Sequence, residues 1–137
     1  MTSVSDSKQK TIDALLVFAD TNWVLGHWYL KNLLNSRSLQ GGASLSAMAQ
    51  DTLGHTRATF NYLEEEYGFP EGQLEFGRDV SDIRSMEMLD KPPQSYGDFV
   101  LTTYLAEQAI WHLGATLKDS DDQAIAGMIG VLSLIHI

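Results

Sequence analysis

The stretch Ala49-Gln50-Asp51-Thr52-Leu53-Gly54-His55-Thr56-Arg57 decides how this chain is read. It sits inside a longer pattern of Leu45, Met48, Ala49, Leu53, Phe60, Tyr62 and Leu63, whose steps of three and four belong to a helix with one apolar face. Side chains three or four apart share a face, so Asp51 and Thr52 both neighbour His55. The spacing predicts a helix from Ala43 or Ser44 to Tyr67, where Gly68-Phe69-Pro70-Glu71-Gly72 stops it.

Working outward, Ile12, Leu15, Leu16, Ala19, Trp23, Gly26, Leu30, Leu33 and Leu34 mark a first helix over Ser7–Asn35. A loop follows to Gly41-Gly42. Ser95 can cap a third long helix that runs to Lys118 through Phe99, Val100, Leu101, Tyr104, Leu105, Ile110, Trp111, Leu113 and Leu117. Between the second and third, Val80, Ile83, Met86 and Leu89 predict one to three helical turns, closed by Lys91-Pro92-Pro93. No strand pattern competes. Long helices joined by a connector of about 25 residues predict an all-α bundle with a crossover connection.

A fourth helix is expected after Asp121-Asp122, whose acids suit a helix N-terminus. It has too little chain before Ile137 to match its partners, and Val131-Leu132-Ser133-Leu134-Ile135-His136-Ile137 has no polar face. The last six residues also resemble the translation of a sequencing adapter. The expectation is a fragment: a polar tail over residues 1–10, one helical domain over 11–130 with an incomplete fourth helix, and a non-native tail over 131–137. A short apolar terminus that docks on a partner is the alternative.

Composition narrows the function. The 137 residues are 44% hydrophobic and 20% charged, a globular balance. The absence of Cys excludes disulfides, zinc knuckles and thiol nucleophiles. With 9 Lys+Arg against 18 Asp+Glu, the chain lacks the cationic surface that drives binding to nucleic acid. No apolar run approaches the roughly 20 residues that cross a bilayer, and Met1–Lys10 is not a signal peptide. A soluble cytoplasmic domain is expected. Gly41-Gly42 lacks the lysine of a phosphate loop, and no nucleophile elbow is present.

What chemistry remains lies on the helices. Iron-holding bundles place a carboxylate three residues before a His, and here that position is Thr52. A neutral hydroxyl is a poor ligand for Fe(II) or Fe(III). His55 is either a metal ligand or a buried His bonded within the bundle. Glu107 falls on a stripe with Val100, Thr103, Tyr104, Ile110, Trp111 and Gly114; it is paired, protonated or metal-bound if buried, or reaches solvent from the edge. Asp20, with Asn22, interrupts the first helix as either a remaining acid ligand or a polar boundary. Trp23, Trp28 and Tyr29, with His27, form an aromatic cluster for packing or a subunit contact.

Three segments together carry a family resemblance: Phe18-Ala19-Asp20-Thr21-Asn22-Trp23-Val24-Leu25-Gly26-His27, then Ala47–Arg57, then Leu89-Asp90-Lys91-Pro92-Pro93-Gln94-Ser95-Tyr96-Gly97-Asp98-Phe99-Val100. The chain resembles the phenylacetic acid catabolic family, the ferritin-like subunits of the ring-1,2-phenylacetyl-CoA epoxidase. That resemblance implies a ferritin-like four-helix bundle. It also implies membership of a complex that inserts oxygen into phenylacetyl-CoA, with electrons from a reductase subunit. One kind of family member holds a di-iron centre; the other keeps the fold without the ligands. Mapped onto this chain, His55 and Glu107 match ligand positions, Asp20 is a candidate first-helix ligand, and Thr52 replaces the expected acid. The fourth-helix ligands would fall beyond Gly130. The resemblance therefore implies a non-catalytic partner of the di-iron subunit, without a cofactor of its own, with Trp23, Trp28 and Tyr29 as docking anchors. The rival is a catalytic di-iron subunit in which Asp51 replaces the missing acid. A helical adaptor unrelated to oxygenases is the third reading.

Overall fold

A computed structural model describes residues 2–118 together with Ala126 and Ile129. Apart from those two residues, the expected fourth helix lies outside the described residues, as does the tail over 131–137. Every described element is helical. Helix α1 spans Thr2–Lys31, α2 Leu39–Tyr67, α3 Gln73–Phe76 and α4 Tyr96–Lys118, with single 3-10 turns at Leu33–Asn35, Val80–Asp82 and Glu87–Leu89.

Three boundaries differ from the sequence reading. Helix α1 starts at Thr2, so residues 2–10 extend the helix instead of forming a tail, and Lys8 Nζ lies 5.5 Å from the ring centre of Tyr67 at the far end of α2. It ends at Lys31, four residues early, and Leu33–Asn35 tightens to a 3-10 turn. Helix α2 starts at Leu39, which puts Gly41 and Gly42 inside its first turn. Ser38 is the reason: its hydroxyl accepts from the Gly41 N–H at 3.0 Å, and its carbonyl accepts from Gly42. Ser95 caps α4 as expected, accepting from the Asp98 N–H, while the Asp98 carboxylate accepts from the Gln94 N–H in return.

Helix α1 packs against both α2 and α4 and runs antiparallel to each. The α1–α2 contact is tight. A Cβ at Gly26 would come within 2.7 Å of Leu53 and 3.1 Å of the Thr52 hydroxyl. One turn away, the Thr56 hydroxyl donates to the Ala19 carbonyl across the seam at 2.9 Å. The core is built from Leu15, Phe18, Leu25, Trp28 and Tyr29 of α1, Leu45, Phe60 and Leu63 of α2, and Phe99, Ala106, Ile110 and Leu117 of α4.

The buried stripe of α4 is Phe99, Thr103, Ala106, Ile110, Gly114 and Leu117; it keeps Thr103, Ile110 and Gly114 of the expected stripe but turns Phe99, Ala106 and Leu117 inward. Val100, Tyr104 and Trp111 are instead exposed, beside Leu101 and Leu105. The sequence is apolar on nearly all sides of this helix, so periodicity alone could not choose the inward face.

The connector leaves α2 through Gly68 at φ 74°, a left-handed stop that favours glycine, and turns again at Gly72. It is pinned by Leu74 and Leu89, both buried, and by main-chain bonds to α1: the Arg84 N–H donates to Asp20 and the Met86 N–H to the Thr21 hydroxyl. Of the apolar residues Val80, Ile83, Met86 and Leu89, only Leu89 is buried.

Candidate functional site

Asp20 is fully buried on α1. Its two oxygens face the guanidinium of Arg78, with Oδ1 at 2.6 Å from Nη2 and Oδ2 at 2.9 Å from Nη1, and Oδ2 also accepts the Arg84 N–H at 2.8 Å. Arg78 is held in turn by the Leu74 carbonyl and lies over the Phe60 ring. An isolated buried carboxylate is costly, and a bidentate guanidinium is the pairing that offsets it. Asp20 thus fastens the connector to α1. Sequence reasoning makes it a candidate ligand or a polar boundary and misses Arg78 altogether. The available signal was general: an acid inside an apolar stripe needs a cation, and Arg78 stands in an aperiodic connector.

Thr52 is fully buried, and its hydroxyl is directed at its own helix, within 2.9 Å of the Met48 carbonyl and 3.1 Å of that of Ala49. Thr56 and Thr59 repeat the motif below it, also buried. This face of α2 therefore satisfies its polar atoms on backbone carbonyls. His55 is buried, with its ring nearly parallel to that of Phe18 at 6.3 Å. Asp51 is half-buried.

Glu107 is half-buried on α4, where Oε1 accepts the Tyr29 hydroxyl at 2.7 Å. Burial first, and the Glu107 carboxylate second, push the Tyr29 phenol well above its ordinary range. Glu107 and His55 engage α1 at Tyr29 and Phe18, about three turns apart. Asp20, His55 and Glu107 are not brought together: among the described residues no three His, Asp or Glu side chains could share a metal ion. A centre of two irons needs several carboxylates on one cavity, which the described residues by themselves do not supply.

The aromatic cluster does not hold together as a docking surface. Trp28 and Tyr29 are core residues, 8% and 1% exposed, so they are not docking anchors. They fall on the side of α1 that meets α2 and α4, and Tyr29 packs edge-on against Phe99. Trp23 is half-buried, edge-on to Phe60, and with His27, Arg57 and Phe76 it lines a groove of about 620 Å³.

The family model described as Phenylacetic acid catabolic protein matches residues 1–130. The chain belongs to that family. No curated protein and no solved structure matches it. In this phenylacetic acid catabolic protein Thr52 is buried on α2 and Asp20 of α1 is paired with Arg78. Among the described residues, no helix is long and apolar enough to cross a membrane.

Proposed function

We propose that this chain is the non-catalytic structural subunit of a phenylacetyl-CoA epoxidase: a ferritin-like bundle, working in the cytoplasm, that docks on a separate di-iron subunit fed by a reductase. The observation that carries the proposal is the bidentate Asp20–Arg78 pair. An acid already neutralised by a buried guanidinium has no charge left to balance iron, and the Thr52 hydroxyl adds none. The exposed apolar face of α4 at Val100, Leu101, Tyr104, Leu105 and Trp111 supports a docking role, since contiguous exposed apolar surface marks interaction sites.

The test is co-expression of the full gene with an iron-binding bundle subunit of the same pathway, followed by co-purification and elemental analysis of each chain. The expected result is a stable complex whose iron belongs to the other subunit. About two irons on this chain when purified alone would overturn the proposal in favour of a catalytic subunit. Failure to associate would favour an adaptor outside the oxygenase.

A further inference from the structure

The groove of about 620 Å³ runs between α1 and α2 and is closed at one end by α3, and its lining comes wholly from described residues of these three helices. It lies on the side of α1 that faces away from α4. A Cβ at Gly114 of α4 would meet the Phe18 ring at 3.7 Å, and His27 stands nine positions after Phe18, about half a turn round the helix. Trp23 and His27 form one wall, Leu53 and Phe60 belong to the other, and Phe76 stands at the end. Arg57 and Glu75 pair across the groove at 3.0 Å and so neutralise each other. We infer that this groove receives a basic amphipathic helix from a partner protein, with its apolar side chains seated between α1 and α2 and its cationic ones against the acidic connector.

Three observations select that occupant. The first is charge. Half of the chain's 18 acidic residues fall between Glu64 and Asp90, against two arginines, of which Arg78 is committed to Asp20. Glu71, Asp79 and Asp82, in the segment that carries Phe76, are exposed. A cationic partner surface complements this field, whereas a second copy of the chain would bring the same acidic connector against it. The second is shape. Leu53 and Phe60 are two turns apart on α2, about 10 Å, which matches a helical segment that presents anchors at i, i+4 and i+7. An extended peptide finds no edge to pair with, because every described element is helical. The third is the rim. Phe76 is 81% exposed, and a small ligand confined to the groove would leave its outer face wet. The inference does not rest on the subunit role proposed above.

The test is NMR titration of the protein with a stapled helical peptide that carries leucine, phenylalanine and leucine at i, i+4 and i+7, flanked by lysines. The readout is the indole N–H signals of the three tryptophans, assigned with Trp23→Phe and Trp111→Phe. A peptide with glutamate for each lysine and a scrambled peptide of the same composition are run alongside. The lysine peptide should move the Trp23 signal and leave that of Trp111 on α4 in place. It should bind about tenfold more tightly than either control, the worth of a few rim charge pairs or of one well-seated anchor. Gly54 lines the groove and a Cβ there meets nothing within 4 Å, so Gly54→Trp fills the groove from its open side. That variant and Phe76→Ser, both checked for folding by thermal melting, should weaken binding about tenfold and about threefold respectively. No binding at about millimolar peptide overturns the inference, as does a scrambled peptide that binds equally well, a shift of Trp111 in place of Trp23, or full affinity in Gly54→Trp. Dimerisation that Phe76→Ser abolishes would give the groove to a second copy and overturn it too. The peptide can bind whether or not a complex with a di-iron subunit forms, so the two proposals fail separately.

Discussion

Asp20 on α1 and Arg78 in the connector meet fork to fork, with both carboxylate oxygens within 2.9 Å of guanidinium nitrogens. The Arg78 side chain is 11% exposed and that of Asp20 not at all. Removing one partner leaves the other charged and buried, which costs about 3–5 kcal/mol, whereas replacing both with apolar groups can be close to neutral. Asp20→Asn should therefore lower the urea midpoint sharply, and Asp20→Leu combined with Arg78→Met should recover at least half of the loss. A double variant no better than the single one would mean that the pair is not the unit that holds the connector.

The α1–α2 seam makes opposite predictions for two helical glycines. At Gly26 a methyl would press on Leu53 at 2.7 Å, and overpacking of this kind costs about 1–3 kcal/mol. At Gly54 a methyl meets nothing within 4 Å, so alanine should stabilise α2 by about 0.5–1 kcal/mol through reduced backbone freedom. Thermal melts of Gly26→Ala and Gly54→Ala should move in opposite directions. A common direction would contradict the packing described for the seam.

How much of this was legible in the sequence varies by element. The long helices were visible because their apolar residues recur every three or four positions, and the caps at Tyr67–Gly68 and Ser95 carry local chemistry. Gly41 and Gly42 misled because glycine reports conformational freedom, not the cap that Ser38 supplies. The inward face of α4 was hidden by its uniform apolarity. At the site, that Thr52 and His55 share a helix face was legible from their spacing, and both are buried. The partners of Asp20 and Glu107 were not, since Arg78 and Tyr29 are 58 and 78 residues away in the chain and no local rule links them.

Tyr29 gives the fold an alkaline limit. Burial and the adjacent Glu107 raise its phenol above the ordinary value of 10.0. The folded state therefore retains a proton that the unfolded state loses as pH passes about 10, and stability falls with rising pH above that point. Below it the contribution is fully present. Urea unfolding at about pH 9 and about pH 11 should show a loss for the wild type that Tyr29→Phe reduces, because the phenylalanine has no proton to lose. Tyrosinate absorbance should show one tyrosine that resists titration until the protein unfolds, and its absence from Tyr29→Phe would assign it.

Thr52→Glu asks whether a metal site lies one substitution away. Residue 52 is fully buried, faces its own helix carbonyls and lies against Gly26, so a glutamate there meets backbone acceptors at close quarters. Arg78, the guanidinium that reaches α1, is committed to Asp20. A buried carboxylate without a partner costs several kcal/mol or takes up a proton, so the variant should lose about 3 kcal/mol in urea unfolding. If iron could gather the introduced carboxylate with His55, ligand binding would return that stability in proportion to the logarithm of metal concentration. The expected outcome is no return: the melting temperature of the variant should be the same with and without Fe(II) under anaerobic conditions. A rise with added iron that His55→Ala abolishes would show that the donors can still converge, and that Thr52 alone had closed the site.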